Sequence, residues 1–541
     1  MSTATQTPVT TSALEQFAAA VREMLNRATE QQGDAIQAAG ALVFRTLELG
    51  GLVHAFGTGH SHLLAEEIYS RAGGLLPVNV IQSAPLMLHE DAVASGDWER
   101  LPGVAAVLLE HAAVDPARDT LIVISNSGRN AVPVEAAEWA RARRVPIIAV
   151  MSLAHSRSQS SLAPSGKKLY ELADVVLDNA GMPGDSLVEV RPGLRVAATS
   201  TIVGAFLLHS MVLSAVEKCF GGRHPSACSD LGQPRWRARG QRRVGRELSG
   251  TPGRRVRAPA ETARRTDCQP VNARIGAGVM PVGVPGAAGA SATGQFGFGK
   301  AQFWQVASGI LDRVVETQSE AIHQAARIFA DAIDRGGVVH AYGTGHSKAF
   351  AMELANRAGG LVPINRLDSV DLILAGWPAE QVLRPDFELD PEVAPALLGC
   401  YQIESDDAFI IASNSGVNPS IVGVALRVKE QNHPLVAVTS LEHTRQVPSL
   451  DSSGKKLYEV ADVVIDNCGP LGDALLELAG GGKACSISSL SGALIGQMLT
   501  AETIGILLER GHQPPVLISA NVPGGREADE KLRKQYAGRI R

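Results

Sequence analysis

Aromatic side chains are scarce, at 4% of 541 residues, and charged ones make up 19%. With a net charge of −5, bulk electrostatics give no reason to expect a nucleic-acid partner. The six cysteines, Cys219, Cys228, Cys268, Cys400, Cys468 and Cys485, include no C-x-x-C pair. Their spacing suggests neither a zinc site nor a disulfide framework. The polar stretch Met1 to Ser12 lacks the apolar core of a signal peptide, and no uninterrupted apolar run looks long enough to span a bilayer. The expectation is a cytoplasmic protein with no membrane partner. Alanine, valine and glycine are abundant, which suits parallel strands covered by helices of small residues. The length suits two or three domains.

The chain repeats itself. His54-Ala-Phe-Gly-Thr-Gly-His-Ser61 recurs as His340-Ala-Tyr-Gly-Thr-Gly-His-Ser347, an offset of 286 residues. Ser125-Asn-Ser-Gly128 recurs as Ser413-Asn-Ser-Gly416, and Ser165-Gly-Lys-Lys-Leu-Tyr-Glu171 as Ser453-Gly-Lys-Lys-Leu-Tyr-Glu459, both offset by 288. Ala173-Asp-Val-Val-Leu-Asp-Asn179 recurs as Ala461-Asp-Val-Val-Ile-Asp-Asn467. Such a period is far too long for a solenoid, so this is a duplicated domain.

Each copy has one coarse layout. In the first, two helices lead, roughly Leu14–Thr29 and Ala35–Leu49. An apolar run Leu52–Phe56 ends at Gly57, and a helix follows at about His62–Arg71. Further short runs stand at Val78–Ile81, Leu121–Ile124, Pro146–Val150 and Val175–Leu177, with a helix over about Ala131–Arg143 and a long closing one over Val196–Lys218. Short apolar runs alternating with helix-length segments indicate βαβ units and a parallel sheet with helices on both faces, an α/β/α three-layer fold.

Ligands of such sheets bind beyond the carboxyl ends of the strands, near a topological switch point. Two strand-to-helix turns fit that position. The first is Gly57-Thr-Gly-His-Ser61, whose glycines allow a tight turn and close backbone approach. The second is Ser125-Asn-Ser-Gly-Arg-Asn130, which offers hydroxyls, amides and backbone donors to an anion. Neither fits a P-loop, and no full G-x-G-x-x-G is present. Their recurrence in the second copy points to phosphate binding.

With G-x-G-x-S after one strand and S-x-S-G after a later one, the chain resembles the sugar isomerase (SIS) domain family. Leu86-Met-Leu-His-Glu90, Ile124-Ser-Asn-Ser-Gly-Arg-Asn-Ala-Val-Pro133 and Ser165-Gly-Lys-Lys168 are similar to a bacterial subgroup of single-domain SIS proteins. The resemblance implies two SIS domains, at 13–218 and 296–541, joined by an arginine-, glycine- and proline-rich stretch at 219–295. It implies a phosphosugar ligand, an isomerase or related lyase chemistry, and no cofactor or metal. Ser125, Ser127 and Asn130 would hold the phosphate, with Gly57, Gly59 and Ser61 lining the sugar side. Their counterparts are Ser413, Ser415, Asn418, Gly343, Gly345 and Ser347. SIS domains typically dimerise, so the two copies would pair within one chain or between chains.

Isomerisation moves a proton between C1 and C2 of an open-chain sugar, which needs a carboxylate or histidine near the carbon acid. The candidates are Glu67, its counterpart Glu353, and the pair His89–Glu90, for which the second copy has no counterpart. Without such a pair the protein would be a binding or sensing module that does not turn its ligand over. Glu67 also suits a helix dipole, and His89–Glu90 an exposed loop. His54 and His340, ending short strands, read best as satisfied core histidines. His60 and His62 are weak metal candidates, because Lys348 replaces His62 in the second copy. Lys167 and Lys168 read best as a solvated face.

One tract does not belong. Between Arg235 and Arg265 stand eleven arginines against two glutamates, which at face value is a basic arm for nucleic acid. Back-translated and read one nucleotide later, Ser229 to Gln241 permits Leu-Thr-Ser-Ala-Asn-Pro-Gly-Gly-Gly-Arg-Glu-Ala-Asn. That matches the end of copy two without a gap, and the single Trp236 codon forces the glycine aligned with Gly524. The expectation is an out-of-frame stretch from about Cys219 to beyond Thr251 that joined two neighbouring genes, with Met280 an old start. Nucleic-acid binding is then not a selected function.

Overall fold

The computed structural model describes residues 12–69, 71–75, 77–88, 94–221, 299–478, 482–518 and 524–540. His89, Glu90, the arginine tract, Cys228, Cys268, Met280 and most of the 219–295 stretch lie outside the described residues.

Copy one contains β1 (Val53–Gly57), β2 (Val78–Ile81), β3 (Thr120–Ile124), β4 (Ile147–Met151), β5 (Val175–Asp178), β6 (Ser186–Arg191) and β7 (Leu194–Ala198). Copy two contains β8 (Val339–Gly343), β9 (Ile364–Arg366), β10 (Ala408–Ala412), β11 (Leu435–Thr439), β12 (Val463–Asp466), β13 (Ala474–Glu477) and β14 (Lys483–Ser486). The first five strands of each copy form a parallel sheet, ordered β2-β1-β3-β4-β5 and β9-β8-β10-β11-β12. Strands β1, β3 and β4 are buried along their whole length, as apolar runs covered on both faces must be. The polar exceptions are paired. His54 meets Asp119 and Asn79 at 3.0 Å, and His340 meets Asp407 at 3.0 Å and Asn365 at 3.1 Å, so both are satisfied core histidines.

Three expectations need correction. The closing helix of copy one begins at Ser200, because Leu194–Ala198 pairs with Ser186–Arg191 as an antiparallel hairpin. Pro192-Gly193, with Gly193 at φ 78°, marks that turn. Secondly, copy two has a single 35-residue leading helix, Lys300–Asp334, where copy one has Ala13–Gln31 and Gly33–Glu48. Gly33 weakens the junction in copy one, whereas Ser319 there bonds back to Val315 O at 2.5 Å within the helix. Thirdly, the stretches Ser200–Cys219 and Ser488–Glu509 are long and apolar enough to cross a bilayer by length and composition. Both are instead 89% or more buried inside the protein, and a helix enclosed on every side is apolar all round.

These two helices lie where the copies meet, within one compact unit. Phe206 stacks on Phe303 at 5.5 Å and meets Trp304 edge-on at 5.2 Å. The hairpins cross over reciprocally: Cys485 N donates to Gly73 O at 3.1 Å, and Ala197 N to Gly359 O at 3.3 Å.

Candidate functional site

Strands β1 and β3 are neighbours, with Gly57 beside Ile124, so the glycine turn and the serine turn emerge side by side at the carboxyl edge. The strand order reverses between these strands, where ligands of open sheets bind. Gly57 cannot be replaced without movement, because a Cβ there would lie 2.5 Å from Ser61 O; at Gly343 the distance to Ser347 O is 2.4 Å. In the serine turn, Ser125 Oγ accepts from Gly128 N at 3.2 Å, and Ser413 Oγ from Gly416 N at 3.1 Å. Each hydroxyl, used as an acceptor by the turn, keeps its own proton for a further bond.

Asn130 and Asn418 stand at the N-cap of 12-residue helices, Ala131–Ala142 and Pro419–Glu430, yet neither side chain caps its helix. Asparagine at this position ordinarily satisfies a free N–H. Asn130 is 3% exposed and its Oδ1 has no hydrogen-bond partner, while Asn418 donates to Glu388 at 2.5 Å. Glu99 ties the two turns of copy one together. It accepts from Thr58 Oγ1 at 2.6 Å, and its backbone oxygen accepts from Val132 N at 3.1 Å.

The acid–base candidates Glu67 and Glu353 are buried where the copies meet, at the ends of the helices Ser61–Glu67 and Lys348–Leu354, each tied to an arginine four residues on, beyond the helix and not within it as the expected helix to Arg71 had it. Arg71 lies 2.5 Å from Glu67 and also reaches Asp473 at 3.0 Å, Ser489 at 2.6 Å and Ser488 at 3.0 Å in the other copy. Arg357 lies 2.6 Å from Glu353 and reaches Asp185 at 3.0 Å, Ser200 at 2.7 Å and Thr201 at 2.7 Å. The two clusters differ at one position: His209 bonds Glu67 at 2.8 Å, whereas Gln497 bonds Glu353 at 2.8 Å. Burial pushes the Glu67 carboxyl up, but Arg71 and His209 outweigh it and hold the group at about 2. For Glu353 burial wins over Arg357, Thr201 and Gln497, and its carboxyl is raised.

One pocket brings both glutamates together with Ser347, Ser413 and Asn414 of copy two and with Ser488 and Ser489 at the head of the central helix. Ser415, Asn418, Gly343 and Gly345 do not line it, nor do Gly57, Gly59, Ser61, Ser125, Ser127 and Asn130 of copy one. The serine turns have different roofs. A Cβ on Gly128 would meet Met151 Cε at 2.5 Å, while one on Gly416 would meet Thr439 Oγ1 at 3.3 Å. The glycine-turn histidines tie the copies together: His60 Nε2 meets Ala355 O at 3.1 Å, and His346 Nε2 meets Tyr69 O at 3.0 Å. Lys168 Nζ donates to Ser156 O at 2.6 Å and Lys456 Nζ to Thr444 O at 2.7 Å, so both fasten loops. Lys167 is exposed.

Sequence reasoning missed Arg71, Arg357, Asp185, Asp473 and the His209/Gln497 difference. The signal was available: Arg71 and Arg357 recur at the offset of 286, and Asp185 and Asp473 at 288. Their meaning depends on contacts between copies, which no local pattern displays.

The family model for the SIS domain matches residues 16–152 and again 302–440, half of the chain, and the protein belongs to that family. A UPF0309 protein of Listeria monocytogenes serovar 1/2a is 39% identical over 239 residues, covering 44% of this chain and 97% of that one. A UPF0309 protein of Halalkalibacterium halodurans is 36% identical over 228 residues, 42% of this chain and 93% of that one. Among solved structures, the C-terminal domain of glucosamine-fructose-6-phosphate aminotransferase from Francisella tularensis aligns with a TM-score of 0.39 at 10% identity. That alignment covers 91% of this chain and 98% of that one.

Proposed function

We propose that the protein binds a phosphorylated sugar at the paired turns of each copy, and that the pocket of copy two supports aldose–ketose isomerisation. The observation that carries the binding reading is the serine turn. An anion-ready helix start is left without its side-chain cap in both copies, beside hydroxyls whose protons are free to donate. Ser125, Ser127 and Asn130, and Ser413, Ser415 and Asn418, are the phosphate ligands in this reading. Gly57, Gly59, Ser61, Gly343, Gly345 and Ser347 face the sugar.

Proton transfer is assigned to Glu353. A general base works best when its pKa approaches the working pH, and the raised carboxyl of Glu353 meets that need better than Glu67, held at about 2. Glu67 then serves as a fixed anion that orients Arg71. Two carboxylates pushed in opposite directions in one pocket is the arrangement that separates proton-transfer roles. The domains are taken as 13–218 and 296–541, and the functional unit as the two copies paired within one chain, since each supplies an arginine to the other's central helix.

A second reading is favoured by one feature: both glutamates are already engaged by arginines, as a binding module without turnover would need for rigidity. Incubation with fructose 6-phosphate or glucose 6-phosphate in heavy water separates the two readings. Deuterium entering C2 or C1 in the native protein and not in Glu353→Gln supports isomerisation. Binding without exchange supports the module, and no binding of either sugar phosphate removes both readings.

A further inference from the structure

The two copies differ in charge beside the serine turn, where Arg100 and Arg129 of copy one correspond to Leu389 and Val417 of copy two. In copy one, Arg129 belongs to the turn itself, with its guanidinium bonded to Ser160 O at 2.9 Å and to Gln159, and Arg100, bonded to Gly96 O, follows Glu99, the residue that ties the two turns together. Arg526 comes from the other copy, in the first turn of the helix Gly525–Gln535, and holds Asp97 at 2.6 Å. The guanidiniums of Arg100 and Arg526 converge: a Cβ on Gly96 would lie 3.2 Å from Arg100 Nη1 and 3.4 Å from Arg526 Nη2. Like charges gathered this way repel. Burial and then the charge of Arg526 lower Arg100, and burial and then Arg100 lower Arg129. Asp97 and Glu99 are the acidic groups beside the cluster, and Glu99 is already engaged by Thr58.

Among the described residues copy two shows no converging pair of this kind: Arg384, near its Glu388, is held by Asp390 at 2.6 Å. Glu388 stands by its turns as Glu99 does, 3.1 Å from where a Cβ on Gly345 would lie, and the residue after it is Leu389. Val417 replaces Arg129. The position 288 residues before Arg526 falls in the stretch outside the described residues.

Two guanidiniums converging beside the residue that ties the turns together, with a third arginine in the turn itself, exceed what a single phosphate needs, since the turn already offers hydroxyls and a helix start. We propose that the copy-one site takes a sugar phosphate carrying a second anionic group, a further phosphate or a carboxylate, held by Arg100, Arg129 and Arg526. Copy two takes a ligand with one anionic group. This rests on the phosphosugar reading above and adds the charge of the ligand to it. The second anion displaces Asp97 as the partner of Arg526, so the tail of copy two completes the site of copy one.

The test uses the full chain, with fructose 6-phosphate and fructose 1,6-bisphosphate as probes in isothermal titration calorimetry. Copy two is silenced by Ser413→Ala with Ser415→Ala. The bisphosphate is expected to bind at least about tenfold more tightly than the monophosphate, the scale of one charge-assisted hydrogen bond. The gap shrinks in high salt. Arg526→Gln with Arg100→Gln lowers bisphosphate affinity by about tenfold and leaves the monophosphate nearly unchanged. Asp97→Asn frees Arg526 and tightens the bisphosphate, a gain that a merely damaged fold does not produce. Monophosphate binding without a preference for the bisphosphate, or equal losses for both ligands in the arginine variant, overturns the inference and leaves the phosphosugar reading standing. Failure of both probes to bind, at both copies, overturns the two together.

Discussion

Replacing Arg71 with alanine leaves Glu67, 5% exposed, without its nearest cation in the middle of the protein. The Glu67 carboxyl sits at about 2 against an ordinary value of 4.5. At 1.36 kcal/mol per pKa unit, the interactions that hold it there are worth on the order of 3 kcal/mol at neutral pH. Stranding one member of a buried pair costs about 3–5 kcal/mol, so both routes reach one magnitude. The sign follows from linkage. A depressed carboxyl contributes stability that is complete above about pH 5 and is lost as the pH falls toward 2. Urea denaturation followed by tryptophan fluorescence should therefore show Arg71→Ala weaker by about 3–5 kcal/mol at pH 7. The deficit should shrink steadily between pH 5 and about pH 2 as Glu67 protonates in the native protein too. Arg71→Met combined with Glu67→Gln should recover part of the loss, because Glu67 no longer stands as a stranded charge, while Asp473 loses its arginine and keeps its bonds from Ser488. An unchanged midpoint at pH 7, or the same deficit at pH 3 as at pH 7, would refute the reasoning.

Ser413→Ala should lower sugar-phosphate affinity at copy two by roughly tenfold to a hundredfold, the loss of a hydrogen bond to a charged group; calorimetry reading no change removes Ser413 from the phosphate site. Gly73→Ala places a Cβ 2.5 Å from Cys485 N at φ 76°. It should cost at least about 1–2 kcal/mol and speed amide exchange in residues 483–486, whereas native exchange rates would mean the copies do not depend on that contact. Sequencing the DNA from the Lys218 codon to the Met280 codon in an independent isolate should reveal one extra or missing base; an unchanged reading would make the joined chain genuine.

Much was legible in the sequence by itself. The duplication, the parallel sheets and the two turns follow from local pattern: short apolar runs closed by Gly57 or Ser125, each followed by a helix. Glycine at 57 and 59 is dictated by the backbone, through a close approach to Ser61 O and a φ of 54°, and such demands are written in residue type. The strand β7 was hidden because Leu-Arg-Val-Ala-Ala runs into an apolar helix, and only pairing with Ser186–Arg191 separates them. The apolar character of Ser200–Cys219 and Ser488–Glu509 likewise has two solutions, lipid or protein, and the enclosure of both helices by the packed copies selects one.

The proton affinities of Glu67 and Glu353 were decided by tertiary structure alone. The sequence places each near the end of a short helix behind a glycine turn, alike in both copies. Their different proton affinities come from how burial balances against Arg71 and His209 in one cluster and against Arg357, Thr201 and Gln497 in the other; His209 and Gln497 lie 142 and 144 residues away along the chain. Arg526 is more distant still from Asp97, by 429 residues, and it carries charge from one copy to the mouth of the other. Residue type and local period set where the chain turns and which faces are buried. Electrostatics depends on distance through space, so the charge state of this site exists only once the two copies have packed together.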